Sequence, residues 1–186
     1  FLNDYISHGP HRLQQAQATA MFGIRRVGNK SVSATAGAPV PAGAVGSTAD
    51  YKIYRRADNS VVHTFQAGGN MQAQIKFDQW LEQKIKDFMA EVEAKNPNEP
   101  EFLQAVNEFA ETVIPFITEQ KKYDGKNLLL RIAEPERAVI FRVPWVDDKG
   151  EIIVNRGFRI QMNSAIGPYK GGIRFHHTVN LSVLKF

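Results

Sequence analysis

The chain has 186 residues, of which 43% are hydrophobic and 23% charged, a composition typical of a globular protein with a sizeable core. It contains no cysteine, which excludes disulfides, thiolate metal sites and cysteine nucleophiles. No apolar run approaches the roughly 20 residues that span a bilayer, so we expect no membrane span. The formal net charge of +4 comes from the first 70 residues, which hold seven Lys/Arg and three Asp/Glu. The basic character therefore belongs to one end of the chain.

The N-terminal segment is poor in acidic residues, since none occurs between residues 5 and 49. An acid-free composition with Arg, Ser and Ala is typical of an organelle transit peptide. We therefore expect a mitochondrial or plastid location, and a cytoplasmic one if the composition is coincidental. Residues 34–49 consist of small residues with Pro39 and Pro41, which predicts an extended linker that is ordered only when docked.

A basic arm that docks on other protein subunits is the first prediction for this end of the chain. Nucleic acid is not the predicted partner, because the net charge is weak and no basic cluster is interleaved with aromatic residues. The cations predicted to dock are Arg12, Arg25, Arg26, Lys30, Arg55 and Arg56.

A β-hairpin is predicted directly after the arm. Apolar residues typical of strands flank an Ala-Asp-Asn-Ser turn: Tyr51 and Ile53 before it, and Val61, Val62 and Phe65 after it. A lone hairpin is marginal in water, so this one needs a neighbouring element.

Two helices are predicted from residue 71 onward. Apolar residues recur at spacings of three and four, which is one face of a helix: Phe77, Leu81, Ile85, Phe88 and Val92. The run Asn-Pro-Asn-Glu-Pro at residues 96–100 ends this helix, and Pro100 is well suited to begin the next, since its missing N–H is not needed there. We expect Pro115 to kink or redirect the second helix. The predicted apolar face of that helix carries Phe102, Val106, Phe109, Val113 and Ile117.

A second hairpin is predicted over residues 138–162, because two runs with strand-forming residues flank the turn Asp-Asp-Lys-Gly at residues 147–150. A loop rich in Gly and Pro follows. We expect a short third strand at residues 172–175 and the beginning of a helix within residues 179–186.

These residues carry a resemblance to a known family. The stretch EPERAVIFRVPWVDDKGEIIVNRGFRIQMNSAIGPYKGGIRFHHTVNLSVLKF, with the helices before it, resembles the N-terminal, substrate-side domain of hexameric glutamate dehydrogenases. The resemblance covers residues from about 86 to 186, and nothing before about Met71 shares it. Small departures from the usual family pattern occur at Met162 and His177.

The resemblance implies a substrate-binding lysine, because the family grips the carboxylates of glutamate with lysines and Lys170 matches one of them. An ammonium group is a compact point charge suited to a carboxylate. The loop glycines Gly167, Gly171 and Gly172 would allow close backbone approach. Arg159 and Arg174 would add positive potential.

Catalytic and cofactor residues are not predicted in this chain. The family's catalytic lysine and nucleotide-binding domain would follow Phe186, and the sequence has no G-x-G-x-x-G run to receive a dinucleotide. NAD(P) is therefore expected only if the chain is part of a longer enzyme. His176 and His177 have no third ligand at useful spacing, so no metal site is predicted.

The fold class predicted is α+β, as a fragment of an α/β enzyme domain: two helices packed on a small mixed or antiparallel sheet, preceded by the arm and its hairpin. The domains are predicted as the arm (1–50), the hairpin and linker (51–70) and the dehydrogenase-like fragment (71–186). Two functions remain open. The first is a non-catalytic linker subunit that holds a larger assembly together. The alternative is the N-terminal portion of an active, homo-oligomeric NAD(P)-dependent glutamate dehydrogenase.

Overall fold

A computed structural model describes residue 18, residues 20–30 and residues 48–186. Arg12 and the predicted linker up to residue 47 lie outside the described residues. The chain divides into two compact units. Unit 1 contains residues 1–86 and 111–124, and unit 2 contains residues 87–110 and 125–186. The predicted division into arm, hairpin and fragment stays a prediction.

Unit 1 contains a three-stranded antiparallel sheet of β1 (Phe22–Lys30), β2 (Thr48–Arg55) and β3 (Val61–Ala67), in that order. The hairpin predicted around the Ala-Asp-Asn-Ser turn is therefore confirmed as β2 and β3. Its neighbour is β1, a strand that the sequence analysis placed in the extended arm. Strand β2 alternates half-buried and buried side chains along its whole length, which is the pattern of a sheet with one covered face.

The first predicted helix is confirmed as α1 (Asn70–Lys95). In unit 1 its predicted stripe is buried at Phe77, Leu81 and Ile85. Phe77 packs against Phe22 of β1 with the ring centroids 6.1 Å apart. The aromatic pair therefore holds the helix against the covered face of the sheet.

The second predicted helix is confirmed as α2 (Pro100–Glu119), which begins at the predicted proline. Its buried face differs from the predicted one beyond the second turn, since Phe109 is 41% exposed. The helix also continues for a turn beyond Pro115, whose side chain is fully buried. The positions that the structure buries are Phe102, Val106, Ala110 and Ile114. A 3₁₀ turn (Lys121–Tyr123) and α3 (Leu128–Ala133) follow.

Unit 2 has a small core and a second hairpin. Val92, Phe102 and Val106 form the centre of the core, and Leu130 and Met162 pack against it. The predicted hairpin is confirmed as β4 (Arg137–Val146) and β5 (Ile152–Gln161), paired antiparallel. With two antiparallel sheets and several helices, the α+β fold class is confirmed.

The end of unit 2 follows the prediction in part. The predicted helix is confirmed as α4 (Leu181–Lys185). The strand predicted at residues 172–175 is wrong, because that segment pairs with no strand among the described residues. Ile173 and Phe175 are 80% and 88% exposed. Among the helices described, none is long and apolar enough to cross a membrane.

Candidate functional site

The loop after β5, residues 163–172, carries the residues predicted to bind substrate. It begins with two local turns: the side-chain oxygen of Asn163 accepts a hydrogen bond from the Ala165 N–H at 2.8 Å, and the Gly167 N–H donates to the Ser164 carbonyl at 3.1 Å. Gly167 has φ of +137°, which L side chains rarely adopt, so glycine is required there. The first half of the loop therefore has a defined backbone shape.

The carboxylate of Glu136 fastens this loop to the start of β4. It accepts a hydrogen bond from the Ser164 N–H at 3.0 Å and from the Ser164 hydroxyl at 2.9 Å. It also accepts one from the Tyr169 hydroxyl. These partners are 28 and 33 residues away in the chain. One side chain thus contacts the loop near both of its ends.

Lys170 follows directly after this anchored segment and is exposed. A Cβ atom added at Gly171 or Gly172 would meet no atom within 4 Å, so the chain after Lys170 lies in open space. The predicted role of these two glycines in close packing has no counterpart in the described residues. A guanidinium N–H of Arg159 lies 3.4 Å from the Tyr169 carbonyl, a long hydrogen bond that places this cation beside the loop.

A cavity of about 610 Å³ lies elsewhere in unit 2 and holds the other predicted cation, Arg174. Glu101 also lines it, and the Ser182 hydroxyl, by hydrogen bonding to this carboxylate, holds the pKa of Glu101 below its usual value. The remaining lining residues are His177, Thr178, Val179, Asn180, Val183 and Phe186. The cavity therefore places one carboxylate and one guanidinium around largely exposed segments, without bringing Lys170 to them.

The end of the chain is fastened to the start of α2. Ser182 is 3% exposed, and its hydroxyl oxygen accepts hydrogen bonds from the N–H groups of Glu101 and Phe102, both at 3.1 Å. These are free donors in the first turn of a helix, so Ser182 caps α2 from a distant part of the sequence. The ammonium of Lys185 forms an ion pair with Glu99 at 2.7 Å.

The predicted docking cations have different surroundings in unit 1. Arg55 is 5% exposed, and it donates to both carboxylate oxygens of Asp124 at 2.7 and 2.9 Å and to the Thr118 carbonyl at 2.7 Å. Arg55 is thus committed within the unit and is not an exposed docking cation. Arg25 is exposed and lies 4.6 Å from the centre of the Tyr54 ring.

The other predicted cations are only partly described. Arg56 is exposed, and its Nε donates to the Phe22 carbonyl at 2.9 Å. Arg26 is exposed, and Lys30 ends β1. Within the described parts of the chain, no group of three or more His, Asp or Glu side chains is placed to hold a metal ion.

The sequence analysis named Lys170 and its glycines but missed Glu136, Ser164 and Tyr169. The large separation hides these contacts from any argument based on local spacing. The predicted hairpin contained the missing signal. Its register pairs Arg137 with Gln161, so the residue before β4 must lie beside the residues that follow β5.

Comparison with known proteins gives the class of the second half of the chain. Residues 135–186 match the family model of the Glu/Leu/Phe/Val dehydrogenase dimerisation domain. The class that the hairpin and its loop define is therefore the dimerisation domain of the amino-acid dehydrogenases.

The similar proteins narrow this class to one member. The chain is 53% identical over 102 residues to the NADP-specific glutamate dehydrogenase of Escherichia coli, which covers 55% of this chain and 23% of that protein. It is 52% identical over 103 residues to the NAD-specific glutamate dehydrogenase of Porphyromonas gingivalis, again with 55% and 23% covered. Residues from about 86 to 186 are thus a fragment of a glutamate-dehydrogenase-like N-terminal domain, as predicted.

A solved structure agrees with this assignment. Glutamate dehydrogenase 2 of Plasmodium falciparum matches 57% of this chain with a TM-score of 0.52 and 52% identity, over 23% of its own length. The chain therefore spans less than a quarter of the length of the relatives it matches.

Proposed function

We propose that this chain is the N-terminal portion of an NAD(P)-dependent glutamate dehydrogenase, and that Lys170 binds a carboxylate of glutamate. The observation that carries the proposal is the position of Lys170. It lies within the matched segment 135–186, is exposed to an incoming ligand, and follows a loop that Glu136 anchors. A lysine ammonium on an anchored loop can form a charge-assisted hydrogen bond with a carboxylate.

The linker hypothesis has less support than this alternative. The relatives reported above are glutamate dehydrogenases, and they contain no indication of a non-catalytic linker. Docking of the basic arm on other subunits stays a prediction. The residues present do not fit a dinucleotide, since the sequence holds no G-x-G-x-x-G run. Hydride transfer is therefore not assigned to any residue of this chain.

Lys170→Gln, made in the native polypeptide that carries this sequence, tests the proposal. We expect glutamate-dependent reduction of NAD(P)⁺ in the wild type and a glutamate KM raised at least about tenfold in the variant, the equivalent of one lost charge-assisted bond. Lys149→Gln is the matched control, because it removes the same charge from the exposed β4–β5 turn. A native mass of 20.9 kDa or an unchanged KM would contradict the proposal.

We also propose that copies of the chain associate through the β4–β5 hairpin. Every side chain of β4 is exposed. The large apolar ones include Ile140, 53% exposed, Trp145, 46% exposed, and Val146, 63% exposed. A contiguous apolar surface of this kind is typical of a protein interface, and the matching family model is described as a dimerisation domain.

Sedimentation velocity tests this association. We expect the wild type to sediment as an oligomer and Ile140→Lys to shift it toward the monomer, because a charge would be buried in an apolar contact. Met71→Lys is the control, since Met71 is 82% exposed on α1, outside the hairpin. A monomeric wild type, or equal shifts in both variants, would contradict the proposed interface.

A further inference from the structure

We propose that Glu136 is a positioning residue for Lys170 and acts through Tyr169. The inference deepens the proposed function and rests on it, since it gives a role to a carboxylate that need not touch the substrate. The side chain of Glu136 accepts the Tyr169 hydroxyl, and Tyr169 is the residue directly before Lys170. The contact is thus made one residue away from the ammonium that would bind glutamate.

The anchoring of the loop is one-sided. Before Lys170, the half-buried Tyr169 has contacts at both ends, its hydroxyl with Glu136 and its carbonyl with Arg159. After Lys170, Gly171 and Gly172 have no neighbouring atom within reach of a Cβ. Glycine also permits more backbone conformations than other residues. The position of Lys170 therefore depends on what holds Tyr169.

Glu136 is suited to hold the loop because both of its carboxylate oxygens are used. One oxygen accepts the Ser164 N–H, and the other accepts the Ser164 hydroxyl and the Tyr169 hydroxyl. Hydrogen bonds to an ionised acceptor are roughly twice as strong as neutral ones. A single substitution thus releases Ser164, near the start of the loop, and Tyr169, near its end.

Pro168 makes the contact more effective, since its ring fixes φ of the residue between Gly167 and Tyr169. Rotation about the backbone is therefore restricted on the N-terminal side of the tyrosine. When Glu136 fixes the far end of the Tyr169 side chain, the Cα of Lys170 is held from one defined direction.

The first test measures hydrogen exchange of the full chain. For Glu136→Gln we expect amide exchange in residues 164–172 to become roughly tenfold faster, the change that one lost charge-assisted bond would produce. Tyr169→Phe should give a smaller increase. Glu134→Gln is the matched control, because it removes the same charge two residues earlier. Unchanged exchange in Glu136→Gln, or an equal increase across α2, would overturn the inference.

The second test separates positioning from general stability through the kinetics of the native polypeptide. We expect Glu136→Gln to raise the glutamate KM about tenfold while kcat stays within about twofold, since the ammonium is misplaced but not removed. Glu134→Gln should leave both constants unchanged. An unaltered KM in Glu136→Gln, with faster loop exchange, would overturn the positioning role.

The two tests also distinguish the two proposals. If the wild type has no glutamate-dependent activity, the proposed function fails and the positioning role fails with it, whatever the exchange rates. If the wild type is active and Lys170→Gln raises the KM but Glu136→Gln does not, only the positioning role fails.

Discussion

The two β-hairpins of this protein have similar apolar content but very different surroundings. In unit 1, strand β2 buries every second side chain, and its centre, Ile53, has no exposed surface. In unit 2, every side chain of β4 is exposed. Strand β2 has a third strand beside it and a helix over one face, whereas the β4–β5 sheet has only two strands. Apolar residues in a strand therefore predict a contact surface, but not whether the same unit provides the cover.

The largest expected effect comes from the matched pair Ile53→Ala and Ile140→Ala. Removal of the fully buried Ile53 side chain should lower the free energy of unfolding by about 2–5 kcal/mol, because it leaves a cavity. The half-exposed Ile140 should cost less than about 1 kcal/mol in the monomer. Urea unfolding at low protein concentration measures both. Equal costs would mean that the second hairpin is covered within one chain.

A smaller effect is expected at the ion pair that fastens the covered sheet. Arg55→Met should destabilise the protein by about 2 kcal/mol, because the Thr118 carbonyl and the Asp124 carboxylate lose their donor. Asp124→Asn should cost less, since the Asp124 side chain is 53% exposed.

Arg142→Met on the exposed β4 is the control for the arginine substitution, and we expect a change within about 0.5 kcal/mol. Thermal unfolding compares all three variants. A larger loss from Arg142 than from Arg55 would reverse the contrast between the hairpins.

The next effect depends on pH and concerns the cap that Ser182 provides in unit 2. The pKa of Glu101 is held below its usual value of 4.5 by the hydrogen bond from Ser182, so its carboxylate stabilises the fold above pH 4.5 and the benefit is lost as the pH falls through the folded-state pKa. Ser182→Ala should therefore narrow the difference in stability between neutral and acidic solution. Thermal unfolding between pH 3 and 7 measures it; in Glu101→Gln, Ser182→Ala should no longer change that slope.

The smallest expected effect is at His63 in the covered hairpin. Burial, with the nearby Lys84 ammonium, lowers the pKa of His63 from 6.5, so the unfolded chain takes up the proton more readily than the folded one. Stability should decline slightly as the pH falls below about 6.5. His63→Phe, which keeps the ring between Phe65 and Trp80, should remove this decline. An identical slope in the variant would contradict the assignment.

The sequence predicts the long helices well, because a stripe such as Phe77, Leu81 and Ile85 repeats over several turns. It predicts the buried face of α2 less well. There Ala110 faces the core while the larger Phe109 does not, since a small side chain allows close packing and size alone misleads. Strand β1 was missed because its Gly and Arg residues obscure the alternation of Phe22 and Ile24. Those positions become a strand only through pairing with β2.

The candidate site was predictable in part for the same reason. Lys170 was found through its local motif, which a sequence displays directly. Glu136 was missed because its partners become neighbours only once β4 and β5 are paired. The third strand failed in the opposite way, since residues 172–175 have the right composition and no partner strand in the described chain.

The cap on α2 has a consequence for the order in which the protein is made. The first turn of α2 obtains its acceptor from Ser182, which lies 80 residues after Phe102. During synthesis the helix can therefore form before its cap exists, and the growing chain must emerge almost to residue 186 before the first turn is completed. Contacts of such long sequence separation also slow folding. A ribosome-bound intermediate that ends before Ser182 should thus fray at Pro100.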